Sequence, residues 1–333
     1  MVIPTGLTQK NVTLGQGGAQ QMTDATSFLS QAVPSCPSWL LQQAARGDAV
    51  PMGFVRATSA TVLESAMDAA KAGLVVPHLI GEGDEIKEIA AAAAISLDGA
   101  VIHEAAGEQG AIDTAIALAK SDVIRGFVKG QLHTDIFMGG LVKRDAGIRT
   151  DQRMVHVFAM LPPDGGQPIF VSDGAVNVTP NDETKLVAAL QVAKLARAIG
   201  QQRPKIAFLS ATESEIESVP SSLDAGRLAQ LAREADDAAD FAGPLSLDLA
   251  IAPQAVAAKG LSDNPVAGRA DGLIVPDIVS GNILFKSLVW FGGGAAAGLV
   301  MGGRLPIILT SRSDPAPARL ASIALGAIAA QQL

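Results

Sequence analysis

Hydrophobic and polar positions along the chain switch repeatedly between two spacings. Short apolar runs, AVPMGFVRA, LVVPHLIG, GAVIHEA and VIRGFVKGQ, alternate with ATSATVLESAMDAAKAG, GDEIKEIAAAAAI and GEQGAIDTAIALAKS, whose apolar residues return every third or fourth position. The runs predict strands and the intervening segments predict helices. In the first helix Ser59 or Thr61 is the expected N-cap and Gly73 the stop, with Val62, Ala66, Ala69 and Ala70 near one face. Ahead of these units, SWLLQQAAR from Ser38 to Arg46 predicts a helix ended by Gly47. The first 30 or so residues, polar and rich in Gly and Gln, predict a loose arm or a partner-contact segment.

Further along, RMVHVFAMLP and QPIFVSD lie too close for a helix between them, which predicts a hairpin or edge pair and a locally mixed sheet. NDETKLVAALQVAKLARAIG predicts a long amphipathic helix with acidic residues at its start and Lys194 and Arg197 toward its end, as the helix dipole favours. KIAFLS, SSLDAGRLAQLAREADD, PLSLDLAIAPQAVAAKG, ADGLIVPD and SGNILFKSLVWFGG form a second α/β set. LPIILTS then predicts one more strand before a helical tail. Alternation with short connections predicts an α/β fold, a doubly wound parallel layer covered by helices. The length of 333 residues favours two domains over one.

Composition narrows the function. Aromatic residues are only 4% and Tyr is absent, so a base-stacking surface is not expected; the net charge of −8, with no long basic block, argues against nucleic acid. Cys36 is the single cysteine, which excludes an internal disulfide and a Cys-rich metal cage and fits a reducing compartment. No signal-peptide pattern opens the chain, so the cytoplasm is the expected location. LVWFGGGAAAGLVMGG is broken by glycine and LASIALGAIAA is about half the roughly 20 residues of a membrane span, so both are expected as buried elements. The glycine run has no GxGxxG spacing, and close helix packing is the expected reason for it.

Candidate chemistry collects where predicted strands end, the usual place for ligands in open α/β sheets. VIRGFVKGQ ends in Lys129, Gly130 and Gln131, and His133 and Thr134 follow; His133 has two readings, an active-site group or a packed capping residue, and Thr134 is expected as a local cap. His78, His103 and His156 are expected to be structural, and none belongs to a metal signature. Ser172, Asp173 and Asn177 follow another strand beside Gly174, and either contact a ligand or stabilise the turn. In ADGLIVPDIVSGNILFKSL, Asn282 is expected to cap a helix beginning near Gly281, and Asp277 and Lys286 to meet at a cleft or stay solvated; the Walker A spacing is missing. TSRSD follows PIIL, so that Ser311 and Arg312 offer a hydroxyl and a guanidinium fork at a strand exit, a pattern suited to an anion.

FVSDGAVNVTP, GPLSLDLAI, ADGLIVPDIVSGNILFKSLVWFGG and PIILTSRSD together make the chain resemble the phosphate acetyltransferase and phosphate butyryltransferase family over about residues 48–333. The resemblance implies two three-layer α/β/α domains with an interdomain cleft, like isocitrate and isopropylmalate dehydrogenases. The expected division is 1–47 as N-terminal arm and first helix, 48–157 plus 305–333 as the first domain, and 158–304 as the second. It implies reversible transfer of a short acyl group, acetyl or butyryl, between coenzyme A and inorganic phosphate by direct thiol attack on acyl phosphate. No permanently bound cofactor and no metal are expected; the partners are coenzyme A, phosphate, acyl phosphate and a second copy in a homodimer, with no nucleic acid and no membrane.

The family's Ser-Arg pair maps to Ser311 and Arg312, with Arg312 expected on phosphate and Ser311 on a carbonyl or phosphate oxygen. The aspartate that acetyl-specific members use falls near Ala318, which leaves Asp314 as the nearest carboxylate and the expected thiol base. An ordinary aspartate is about 4 to 5 pK units less basic than a thiol, so Asp314 needs a dry site or stabilisation of the thiolate. Lys129, His133, Thr134, Ser172, Asp173, Asn177, Asp277, Asn282 and Lys286 form the expected substrate-binding set; Arg56, Lys143 and Arg144 are further candidate cations. Two other readings stand: a catalytically inactive, coenzyme A-binding regulatory protein, and a dehydrogenase of related architecture.

Overall fold

In VPMGFV the side chains alternate across a pleated strand, so Met52 and Phe54 enter one layer and Val55 the opposite one, all fully buried. Such two-sided burial requires helices on both faces of the sheet. The structure, a computed structural model, describes residues 28–310 and 314–332. The expected arm over residues 1–27, and Ser311 and Arg312, lie outside the described residues.

The first half of the chain builds α1 (Ser38–Ala44), β1 (Val50–Val55), α2 (Ala60–Lys71), β2 (Val75–Gly81), α3 (Gly83–Ala92), β3 (Val101–Glu104), α4 (Gly107–Lys120), β4 (Phe127–Lys129) and α5 (Thr134–Leu141). β5 (Val155–Leu161) and β6 (Ile169–Ser172) form the expected antiparallel pair. They are followed by α6 (Asp182–Ala198), β7 (Lys205–Leu209), α7 (Pro220–Ala235), β8 (Asp240–Leu245), α8 (Leu247–Ile251), α9 (Pro253–Lys259), β9 (Gly272–Ile274) and α10 (Ile278–Trp290). β10 (Ala295–Met301), β11 (Ile307–Ile308) and α11 (Ala316–Gln332) complete the described residues. Ser59 caps α2, its hydroxyl accepting from the Val62 amide, which decides between the two expected caps.

All the strands join one 11-stranded sheet in the order β3-β2-β1-β4-β11-β10-β5-β6-β9-β7-β8. The last strand therefore returns to lie parallel to β4, between it and β10. β3, β2, β1, β4 and β11 are mutually parallel and bring their carboxyl ends to one edge. Successive antiparallel pairings of β10 with β11, β5 with β10 and β6 with β5 reverse the direction for the parallel set β6, β9, β7 and β8. The expected boundary at 157/158 falls inside β5, whose residues pair with β10 from Val155 to Leu161.

One face of the sheet is covered by α1, α2, α3, α6, α7 and α11. On the other, α4 and α5 cover the first parallel set, and α8, α9 and α10 the second. Apart from Arg319, α11 is almost wholly apolar from Ala318 to Ala330 and is buried nearly throughout, as expected of a helix without a solvent stripe. The glycine-rich run that precedes it is strand β10, over which α11 packs; the Gly298 amide donates to Ser322 Oγ at 3.0 Å. No helix among the described residues is long and apolar enough to cross a membrane.

Candidate functional site

The carboxyl ends of β1, β2 and β4 and the first turns of α4 and α5 converge on Arg56. Arg56 takes a left-handed backbone angle, φ 55°, immediately after β1. Its guanidinium donates to the Gln131 carbonyl at 3.2 Å and lies 3.6 Å from Glu82 and 3.5 Å from Glu108. Glu82, after β2, accepts from the Gly107 amide at the start of α4, while Glu104, at the end of β3, accepts from the Gly83 amide at the start of α3. Each carboxylate thus satisfies an amide at a neighbouring helix start. Burial raises the Glu82 carboxyl, but the amides of Gly107 and Glu82 and the Arg56 guanidinium outweigh it, and the group sits below the usual carboxylate range. Among the described residues, Arg56 Nε and Glu82 Oε2 are buried without a hydrogen-bond partner.

His133 is the N-cap residue of α5, a helix absent from the sequence expectation, and Thr134 is its first helical residue rather than its cap. The His133 side chain is 72% exposed, and its Nδ1 lies 2.9 and 3.1 Å from the two Glu108 oxygens. Lys129 is buried at the end of β4. Lys143 and Arg144 lie beyond the end of α5, in a short helical turn, apart from these contacts.

The second cluster is built on the loop after β6, and its polar groups are spent internally. Ser172 is fully buried and its hydroxyl donates to the His156 carbonyl at 2.8 Å. One Asp173 oxygen accepts from the Ala175 and Val176 amides, and the other from the His156 amide and from the backbone and side chain of Asn177. Asn177 also donates to the Met154 carbonyl. These residues shape the turn, and of the two sequence readings the structure favours stabilisation. The turn reaches across the sheet, because Val176 packs against the cluster that holds Phe137, Leu141 and Ile307. His156 is buried, and burial holds its imidazole well below the usual histidine value, the Asp173 carboxylate opposing.

Asp277, not Asn282, caps α10: it accepts from the amides of Val279 and Ser280 and from the Ser280 hydroxyl. The Ser280 amide leads the interactions that hold its carboxyl below the usual range against partial burial. Asn282 donates from the helix to the Gly174 carbonyl. Asp277 and Lys286 do not meet: nine positions of helical rise separate them by roughly 13 Å, and Lys286 is exposed.

Asp314 is described, half-buried before α11, and its carbonyl accepts from Arg319, whose Nε donates to Ser65 of α2. Ala318 is buried in the core, so its position presents no proton acceptor to a substrate. Burial pushes the half-buried Cys36 thiol up to about 11, which removes it as a nucleophile at neutral pH. A cavity of about 430 Å³ lies elsewhere, lined by Arg203, Arg233 and Asp240. Its guanidinium groups are already engaged by Asp240 and by the Phe241 carbonyl. Sequence reasoning missed Glu82 and Glu108; their one local signal was acidity at the predicted start of a helix.

A family model described as Phosphate acetyl/butaryl transferase matches residues 111–327. The phosphate acetyltransferase of Rhizobium meliloti is 37% identical over 269 residues, 80% of this chain and 85% of that protein. The phosphate butyryltransferase of Clostridium acetobutylicum is 32% identical over 273 residues, 81% of this chain and 89% of that protein. Among solved structures, a branched-chain phosphotransacylase from Enterococcus faecalis V583 has a TM-score of 0.73 at 27% identity, covering 84% of this chain and 99% of the other.

Proposed function

Because the chain belongs to the phosphate acetyl/butyryl transferase family, and is accordingly an acyltransferase, we propose that its site for coenzyme A, phosphate and acyl phosphate lies at the shared carboxyl edge of β1, β2, β4 and β11. The observation that carries this reading is convergence: Arg56, Lys129 and His133 stand at that edge, and β11, the strand that precedes Ser311 and Arg312 in the chain, runs parallel to β4. Phosphate needs cations, the tetrahedral oxyanion needs donors, and the thiol needs a proton acceptor. We assign Arg312 to phosphate and Ser311 to a carbonyl or phosphate oxygen. Lys129 and Thr134 remain on the substrate side, with Lys286, further along α10, at its margin; Asn282 stands near the carboxyl ends of β6 and β9, at the opposite edge of the sheet. Ser172, Asp173, Asn177 and Asp277, at the carboxyl ends of the reversed strands β6 and β9, hold the opposite edge through the hydrogen bonds described above and are proposed to support the site indirectly. Binding both substrates at one edge supplies proximity without a covalent protein intermediate.

The same reading takes 48–157 plus 305–333 and 158–304 as dehydrogenase-like α/β units flanking the site, with the junction moved off β5; the insertion of β11 beside β4 supports it. The cytoplasm is the proposed compartment, supported by the single cysteine. The test is thioester formation from coenzyme A with acetyl, propionyl and butyryl phosphates. Arg312→Ala is expected to lower kcat/KM by roughly 100-fold or more, since a charge-assisted fork is lost at the departing phosphate. Wild-type turnover by that variant would remove the phosphate assignment, and no turnover of any acyl phosphate by the unaltered protein would remove the substrate reading.

A homodimer is the second part of the proposal. Val279, Ile283 and Trp290 recur along one side of α10 at 63%, 61% and 62% exposure, and only Lys286 interrupts that stripe with a charge. A chain of net charge −8 repels its own copy over most surfaces, so this nearly uncharged stripe suits an isologous contact. Ile283→Asp is expected to shift the protein from dimer to monomer in analytical ultracentrifugation. A monomeric parent protein would refute the contact.

A further inference from the structure

Ala318 carries no acceptor, and Asp314, the carboxylate that the sequence offers in its place, is by class a poorer match to a thiol than an imidazole, one of which stands at the proposed edge. His133 Nδ1 is 2.9 Å from Glu108 Oε1. Glu108 is itself held, 18% exposed, with Arg56 Nη1 at 3.5 Å, in the first turn of α4 where the helix dipole favours a carboxylate. A carboxylate accepts but cannot donate, so the neutral tautomer that fits this contact carries its hydrogen on Nδ1 and presents Nε2 as the acceptor. Among the described residues no side chain or carbonyl occupies Nε2, and the ring is 72% exposed. The register supplies the second observation. Ile308 pairs with Val128, so the chain leaves β11 toward Ser311 alongside the segment that leads from β4 into His133.

We propose that His133 is the general base for the coenzyme A thiol, with Glu108 and, behind it, Arg56 as positioning residues; the assignment rests on the reading that acyl transfer occurs at this edge. The S–H proton passes to Nε2 while sulfur attacks the carbonyl carbon of acyl phosphate, forming the C–S bond as the carbonyl electron pair moves onto oxygen. Collapse restores the carbonyl and breaks the carbon–oxygen bond to phosphate, which leaves with that electron pair. The imidazolium then gives its proton to solvent. In the reverse direction phosphate attacks the thioester and the imidazolium protonates the departing thiolate. As a class, imidazole is about 2 pK units or more closer to a thiol in basicity than an aspartate is. The charged groups behind the ring are Glu108 from α4, Arg56 from the end of β1 and, beyond Arg56, Glu82 from the end of β2. This arrangement keeps a fixed negative charge on the Nδ1 side and leaves the Nε2 side to substrate.

The experiment is steady-state thioester formation with His133→Asn, His133→Ala and Glu108→Gln, alongside Arg312→Ala. His133→Asn is expected to lower kcat by about 100-fold or more, with KM for coenzyme A and acyl phosphate within about threefold. Added imidazole is expected to restore His133→Ala in proportion to its free-base concentration. Glu108→Gln is expected to lose about tenfold in kcat, to change the pH dependence of kcat, and to gain nothing from imidazole. A kcat within threefold of wild type for His133→Asn, or a raised KM with kcat unchanged, overturns the assignment when Arg312→Ala is crippled in the same assay. A kcat loss that imidazole does not restore, together with an unaltered pH–kcat profile, overturns it as well. Full activity in both Arg312→Ala and His133→Asn instead removes the location of the site.

Discussion

Asp173→Ala is expected to destabilise the protein by about 3 to 5 kcal/mol, because one buried carboxylate gathers the hydrogen bonds that shape the turn after β6. Truncation leaves the amides of His156, Ala175, Val176 and Asn177 and the Asn177 side chain short of an acceptor. Water reaches the outer part of the turn, which lowers the total below a sum over separate bonds. The His156 amide, on a fully buried strand residue, is the donor least able to be rescued. Asp173→Asn separates charge from geometry. Whichever way the amide turns, its NH₂ faces donors: the Ala175 and Val176 amides on one side, or the His156 amide and Asn177 side chain on the other. It is therefore expected to lose nearly as much as the alanine variant. Urea unfolding at neutral pH measures both, and a loss under about 1 kcal/mol for Asp173→Ala would show that the turn does not depend on this carboxylate.

The alternation of strand and helix was legible because each half-chain unit carries its own spacing and breaks; ATSATVLESAMDAAKAG declares both its helix and its end. The antiparallel β5–β6 pair was legible for a complementary reason, the absence of room for a crossover helix. Function at the strand ends was less legible. Ser172, Asp173 and Asn177 look alike in sequence whether they bind a ligand or hold a turn, and only burial and the positions of the surrounding amides separate the two. The Asp277 cap was misplaced by five residues, at Asn282, because VPDIVSGN offers two helix starts, and the aspartate with two amides in reach takes the earlier one. Glu108 was invisible as a partner of His133, since their 25-residue separation is closed only when α4 and α5 pack side by side over the sheet. The β11 insertion was expected from family resemblance, and no local pattern within LPIILTS encodes which strand it joins.

Gly130→Ala is expected to lower kcat by roughly 100-fold and to cost about 1 to 3 kcal/mol of stability, without removing any reactive group. An added Cβ would overlap the carbonyl oxygens of Val55 and Arg56 and sit 2.9 Å from the Arg56 carbonyl carbon. Those neighbours are backbone, so a side-chain rotation cannot relieve the overlap. The same carbonyls accept from the amides of Gly130 and Gln131 at 2.9 and 2.8 Å, which ties the ends of β1 and β4 together. Separating them moves Gln131 away from the Arg56 guanidinium, loosening the residue that backs Glu108, and shifts the turn leading into His133. A displacement on the order of 1 Å is enough for a roughly 100-fold loss when a proton must pass along a fixed line. Steady-state kinetics beside urea unfolding gives the comparison. Near-normal kcat with the expected stability loss would mean that the β1–β4 junction does not position the reacting groups, and it would count against the whole edge as the site of acyl transfer.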